Sequence, residues 1–243
     1  MQTRTKIGIG LVAALLAAGL AAVLVVRHKS GAGQGVAAFR EARAFAVSGV
    51  LKQVEGPYSL LLGDSQMERL YLPALCGHPA IDAAIAGTRI SGLRAVAGWI
   101  DLPRPPEAIV VTIGTNDLTR RQRSGDPDAA TAQFRTEARG LFSELVPRAR
   151  RVVVTAVPPF DAGRPGVAKF YDVEAAPAYT AILSEECARA GCRFVDAYAD
   201  LRDPASSSRS PDGVHLGLDP AARDRIAARL EAAACPDLPG RAR

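Results

Sequence analysis

Residues 60–65 read LLLGDS. Three leucines stop at Gly63, and an acid and a serine follow at once. A short, continuous apolar run closed by glycine suits a strand buried on both faces. Ser65 then stands where a strand ends and the next element begins. Two readings are open for it: a residue that closes a turn or caps a helix, or a nucleophile.

The same rhythm recurs along the chain. The run YSLLL (58–62) is the first such segment, AIVVTI (108–113) stops at Gly114, RVVVTAV (151–157) stops at Pro158 and Pro159, and RFVDAY (193–198) is a fourth. AIDAAI (80–85) is a weaker fifth, ended by Ala86 and Gly87. Between these runs lie segments with helical spacing. One opens with Asp126 as N-cap and Pro127 at the first helical position, and sets Phe134, Ala138, Leu141, Phe142 and Leu145 on one stripe. Another opens with Asp219 and Pro220 near the end of the chain. Strands alternating with helices predict a parallel sheet with helices on both faces. Ligands in such sheets bind at the carboxyl ends of the strands. The segments to inspect are therefore GDS, AGTR, GTND and PPF, with SPDGVH before the last helix.

The chain has 243 residues, 48% apolar and 23% charged, which is an ordinary globular balance for one domain and an appendage. A net charge of +5 is scattered rather than blocked, and aromatic residues make up only 5%, so a nucleic-acid partner is not expected. The appendage comes first. Ile7–Val26 is an uncharged run flanked by Arg4 and Lys6 before it and Arg27, His28 and Lys29 after it. At helical rise it spans about 30 Å, one hydrocarbon core. A cleaved signal peptide is the rival reading, but VLVVRHKS makes a poor cleavage site, and an uncleaved membrane anchor is preferred. The expectation is an anchor over 1–30, a linker (SGAGQG) and lead-in helix over 31–56, and a domain over 57–243. That domain would lie on the extracytoplasmic, periplasmic side of the inner membrane, held by a single pass. Cys76, Cys187, Cys192 and Cys235 fit an oxidising compartment, and three pairings are possible.

Three histidines are present. His28 lies beside the apolar run, so His78 and His215 are the candidates for a base. His215 closes DGVH, three residues after Asp212, and an acid there can reach the far ring nitrogen and fix the tautomer that a serine nucleophile requires. The plain alternative is a polar turn. Asn116, in GTND, is the chain's sole asparagine. Its amide can donate to a developing oxyanion, or it can simply shape a turn. Gly87 permits close backbone approach to a bound oxygen, or ends a strand. Arg89 could meet an anionic or sugar substrate, or be a solvated helix-start arginine. Arg120, Arg121 and Arg123 read as a solvated loop near the cleft, and Trp99 as core.

Together and in this order, GDS (63–65), the glycine block around Gly87, GTND (114–117) and DGVH (212–215) resemble the GDSL, or SGNH, hydrolase family over about 160 residues. The glycine block is the weakest match. Asp82 stands where the family often has Asn, and Gly92 is the fallback for Gly87. The resemblance implies a flavodoxin-like three-layer α/β/α sandwich with a five-stranded parallel sheet. It implies Ser65 as nucleophile, His215 as base and Asp212 as its orienting acid. It also implies an oxyanion hole from the Ser65 and Gly87 N–H groups and the Asn116 amide. No metal or cofactor is required. The expected activity is hydrolysis of a short O-acyl ester, acetyl for example, on a small molecule or cell-envelope glycan. Lysophospholipase or thioesterase activity on longer chains, and O-acetyl transfer at the same site, are the alternatives.

Overall fold

A computed structural model describes residues 35–202, 210–217 and 219–235. The chain divides into two compact units, residues 1–42 and 43–243. Of the first, residues 35–42 are described and are helical. The apolar run at 7–26 lies outside the described residues. Among the described residues, no helix is long and apolar enough to cross a membrane.

In the second unit, helical residues 43–53 (α1) lead into β1 (Ser59–Gly63). It is followed by α2 (Ser65–Leu70), β2 (Ala74–Leu75), β3 (His78–Asp82), α3 (Ile90–Trp99) and β4 (Ala108–Thr112). Then come α4 (Arg120–Arg123), α5 (Pro127–Leu145), β5 (Val152–Thr155), α6 (Val167–Phe170), α7 (Ala176–Ala190), β6 (Arg193–Val195) and α8 (Pro220–Ala234). The sheet order is β2-β3-β1-β4-β5-β6. The last five are parallel, with Leu61 beside both Asp82 and Val110, and Val111 beside Val154.

Each central strand is apolar on both faces because each face has a helix layer. Leu60, Leu62, Ile109, Val111, Val152 and Val154 pack with α1, α3, α5 and α7. Their alternates Leu61, Val110 and Val153 pack on the other face with α2 and α8. That is the three-layer sandwich expected. The helix starts also hold. Asp126 accepts from the N–H groups of Asp128 and Ala129, and Asp219 from that of Ala222. The five stripe residues of α5 are all buried.

The sheet itself differs from the expectation. It is mixed, with six strands, because β2 joins β3 as an antiparallel edge. Leu75 pairs with His78 across the two-residue turn Cys76–Gly77, whose φ values are +59° and +75°. Two positive φ angles make the type I′ turn that suits a twisted hairpin. Cys-Gly is not the usual sequence for it, and it formed here with Cys76 tied to Cys235 at the end of α8. That disulfide closes a loop of 159 residues, so it contributes about 3–5 kcal/mol by restricting the unfolded chain. Cys187 pairs with Cys192. Trp99 also departs from the core reading: it sits at the end of α3 and is 45% exposed.

Candidate active site

β1 and β4 are neighbours, yet the chain leaves them toward opposite edges of the sheet, β1 to β3 and β4 to β5. Such a switch point opens a crevice at the carboxyl ends of the two strands. Ser65 follows β1 and Asn116 follows β4, so both stand at its mouth.

Gly63 is required where β1 ends. A Cβ there would come within 2.3 Å of the Thr112 carbonyl oxygen and 2.9 Å of the Met67 side chain. The close approach lets the Asp64 N–H donate to the same carbonyl at 3.2 Å. The Asp64 carboxylate turns back to accept from the Gln66 N–H at 3.0 Å and so caps α2. The cap is therefore Asp64, and Ser65 is free of that duty. It is the first residue of α2 and only 7% exposed.

The DGVH loop meets it. Asp212 Oδ1 accepts from the N–H groups of Val214 (2.9 Å) and His215 (2.7 Å), while Oδ2 lies 2.6 Å from His215 Nδ1. His215 Nε2 lies 2.9 Å from Ser65 Oγ. A carboxylate can only accept, so Nδ1 carries the proton and Nε2 is left to accept from the serine O–H. Burial alone would push the Asp212 carboxyl up. The hydrogen bonds from the His215 ring and from the His215 and Val214 N–H groups outweigh it and hold Asp212 well below the usual carboxylate range. Asp212 is therefore held in its ionised form beside the imidazole.

The opposite wall is built on the 85–90 segment, which is fastened at alternate residues. Glu68 Oε2 accepts from the Ala86 N–H at 3.0 Å, Asn116 Nδ2 donates to the Thr88 carbonyl at 3.1 Å, and Asp117 accepts from the Ile90 N–H at 3.1 Å. Gly87 lies between the first two anchors at φ +73°, a left-handed conformation suited to glycine. The Asn116 amide carries a second hydrogen beyond the one given to Thr88. Ser65, Gly87, Asn116 and His215 line one open cleft of about 480 Å³, walled by Glu68, Arg69, Tyr71 and Tyr171. Gly92 is buried inside α3 and does not line it.

Other candidates fall elsewhere. Arg89 does not line this cleft. Its guanidinium donates to Gln122, and it lines a separate pocket of about 50 Å³ with Asp117 and Glu137. His78 belongs to the β2–β3 hairpin. Of the arginine cluster, Arg120 donates to the Ala168 carbonyl, and Arg123 is nearly buried against Asp172 at 2.7 Å. Arg123 is a structural brace, whereas Arg120 and Arg121 are exposed, as the solvated reading expects. Among the described residues, no cluster of three His, Cys, Asp or Glu side chains is placed to hold a metal ion. Two residues of the site carried no sequence signal. Glu68 secures the Gly87 segment, and Gln66 bonds to the backbone on either side of His215.

Asp64 gives the site a pH-dependent cost. It is wholly enclosed, and burial pushes its carboxyl up to about 7 against the hydrogen bond from the Gln66 N–H. The folded state then keeps a proton that the unfolded chain releases near the ordinary carboxyl value, so this group's contribution to stability declines as pH rises from about 4 toward 7. Asn in its place can still cap Gln66. Asp64→Asn is therefore expected to melt higher than the parent near about pH 8, with the gap closing toward about pH 4. Thermal melts across that range check it; a gap independent of pH contradicts it.

The GDSL-like Lipase/Acylhydrolase family matches residues 56–219, which contain every residue of this cleft. The chain belongs to that family. It is accordingly a carboxylic ester hydrolase. No curated protein matches the chain. Among solved structures, a Streptococcus pneumonia protein assigned as a platelet activating factor is similar, with a TM-score of 0.65, 18% identity, and coverage of 80% of this chain and 92% of that one. A lipase/acylhydrolase from Enterococcus faecalis has a TM-score of 0.59 at 17% identity, covering 77% and 100%. A variant of an acetyl xylan esterase from Geobacillus stearothermophilus has a TM-score of 0.56 at 15% identity, covering 77% and 98%. At these identities the likeness establishes the fold this hydrolase shares with them.

Proposed function

We propose that this hydrolase is a serine esterase that removes short acyl groups, acetyl foremost, from hydroxyls of a cell-envelope glycan. Ser65 Oγ attacks the ester carbonyl as His215 Nε2 takes its proton. The Ser65 and Gly87 N–H groups and the free hydrogen of the Asn116 amide receive the oxyanion. The ester C–O bond breaks, His215 returns the proton to the departing alcohol, and the acyl group remains on Ser65. Water, activated by the same imidazole, then releases the acid and restores the serine.

The observation that carries this reading is the 2.9 Å contact between Ser65 and His215 at the floor of an open cleft. The cleft's character favours a short acyl group. A long chain needs continuous apolar surface worth about 0.8 kcal/mol per methylene. The walls beside Ser65 carry Glu68, Arg69 and Asn116, with the two tyrosines as their broadest apolar surfaces. Charged and hydrogen-bonding walls with an aromatic face suit a sugar. The names of the acetyl xylan esterase neighbours agree with this direction. Steady-state rates on p-nitrophenyl acetate and p-nitrophenyl laurate test it. The expected result is a kcat/KM at least about tenfold higher for acetate; a preference for laurate contradicts it.

The oxyanion assignment has its own test. Asn116→Ala is expected to lower kcat by about 10²–10³ with little change in KM, because the amide acts only as charge develops. A kcat within a factor of about two of the parent removes Asn116 from the mechanism.

The location proposed is the extracytoplasmic side of the inner membrane, with residues 7–26 as the anchor. The length of that run supports an anchor, and the two disulfides support the oxidising side of the membrane. Fractionation with a topology reporter fused at the C-terminus tests it, and a soluble cytoplasmic fusion overturns it.

A further inference from the structure

The base and the nucleophile lie 150 residues apart in sequence, on separate elements, and their 2.9 Å contact requires the DGVH loop to be held against α2. The loop's own bonds do not do this. Asp212 bonds to Val214 and His215, and Ser210 donates to Asp212 and to the His215 carbonyl, all within the same short segment. The link to α2 is Gln66, the residue after the serine. Its Nε2 donates to the Val214 carbonyl at 2.6 Å, and its Oε1 accepts from the Leu216 N–H at 3.3 Å. These two peptide groups flank His215 on either side. The carboxamide thus pairs with residues 214 and 216 as a neighbouring strand would, and the side chain of the residue between them, His215, projects to Ser65. Gln66 is only 4% exposed, so the bonds are shielded from competing water.

We propose that Gln66 is a positioning residue for catalysis, a two-point clamp that sets the distance from His215 Nε2 to Ser65 Oγ. This rests on the Ser65–His215 reading above. Either partner of the clamp alone would leave rotation possible. A donor alone ties Val214 to α2 and leaves Leu216 without a tie to it; an acceptor alone does the converse. Both functions on one planar group, anchored one residue from the nucleophile, restrict the base in position and in direction. A displacement of about 1 Å in such a pair can cost about a hundredfold in rate.

The test compares Gln66→Met, which keeps volume and removes both bonds, with Gln66→Glu, which keeps the acceptor and can donate only when protonated. Rates on p-nitrophenyl acetate are measured across pH, with melting temperature alongside. For Gln66→Met the expected result is a kcat lower by about ten- to a hundredfold, a KM within about twofold, and slower labelling of Ser65 by a fluorophosphonate. For Gln66→Glu the expected signature is an alkaline limb in kcat that the parent lacks. It appears because the introduced carboxyl donates to Val214 while protonated and repels that carbonyl once ionised. A merely structural role moves the melting temperature and creates no such limb. Should Gln66→Met not fold, the Gln66→Glu profile decides alone. A Gln66→Met enzyme with kcat within twofold of the parent, or a Gln66→Glu enzyme whose kcat matches the parent's at every pH, overturns the clamp. The two readings fail separately. If Ser65→Ala keeps its activity, the catalytic assignment is lost; if Ser65→Ala is inactive while Gln66→Met is not, only the clamp is.

Discussion

Ser65→Ala is expected to lower kcat/KM for p-nitrophenyl acetate by about 10⁴–10⁶ while leaving the protein folded. The size follows from what the hydroxyl does. In the proposed mechanism it forms the covalent bond, and without it hydrolysis must proceed by direct attack of water. The Gly87 and Asn116 donors would still favour the oxyanion, which is why a residual rate above the uncatalysed reaction is expected rather than none. Stability should hardly change. Ser65 Oγ bonds to His215 Nε2, and the cap of α2 belongs to Asp64, so removing one oxygen neither opens a cavity of consequence nor uncaps the helix. A melting temperature within a few degrees of the parent, measured beside the rate, separates lost chemistry from lost folding.

His215→Ala is expected to cost nearly as much, by about 10⁴ or more in kcat/KM. In the proposed mechanism the imidazole takes the serine proton and returns it to the leaving alcohol, so both halves of the reaction need it. The loop should survive the substitution. The clamp from Gln66 engages Val214 and Leu216 through their backbones, and Asp212 keeps its backbone donors at Val214 and residue 215. The informative measurement is the double variant. A serine and its base act as one unit, so Ser65→Ala with His215→Ala should lose no more than either alone. If the two losses multiplied, the residues would be acting in separate steps, and the 2.9 Å contact between them would not be the catalytic one.

Much of the framework could be read from residue order. The apolar runs gave the five parallel strands because helices on both faces leave no solvent side to break the pattern. Leu60 to Leu62 face alternate layers, and all three are buried. The caps of α5 and α8 were legible because Asp followed by Pro has a local mechanism that tertiary contacts did not override. Ser65, Asp212, His215, Gly87 and Asn116 read as a set because each follows an apolar run or precedes the last helix, and the structure brings four of them to one cleft with Asp212 behind His215. What was not legible depends on pairing across the chain. β2 is two residues long, and its turn is held by a disulfide partner at the far end of the sequence. Trp99 was assigned to the core on residue type, yet it falls at the last position of α3, beyond the helix's buried stripe. Arg89 follows the glycine segment closely, but its side chain leaves for Gln122. Gln66 and Glu68 look like ordinary polar helix residues. Their partners are backbone groups of distant segments, and no local spacing announces a side chain that meets a peptide 148 residues away.

The nucleophile can be tested without any substitution. The full-length protein would be treated with a fluorophosphonate, digested, and the modified residue located by mass spectrometry. A single stoichiometric adduct on Ser65 is expected, slowed when p-nitrophenyl acetate competes. An adduct on another serine, or none on a preparation that hydrolyses p-nitrophenyl acetate, would contradict it.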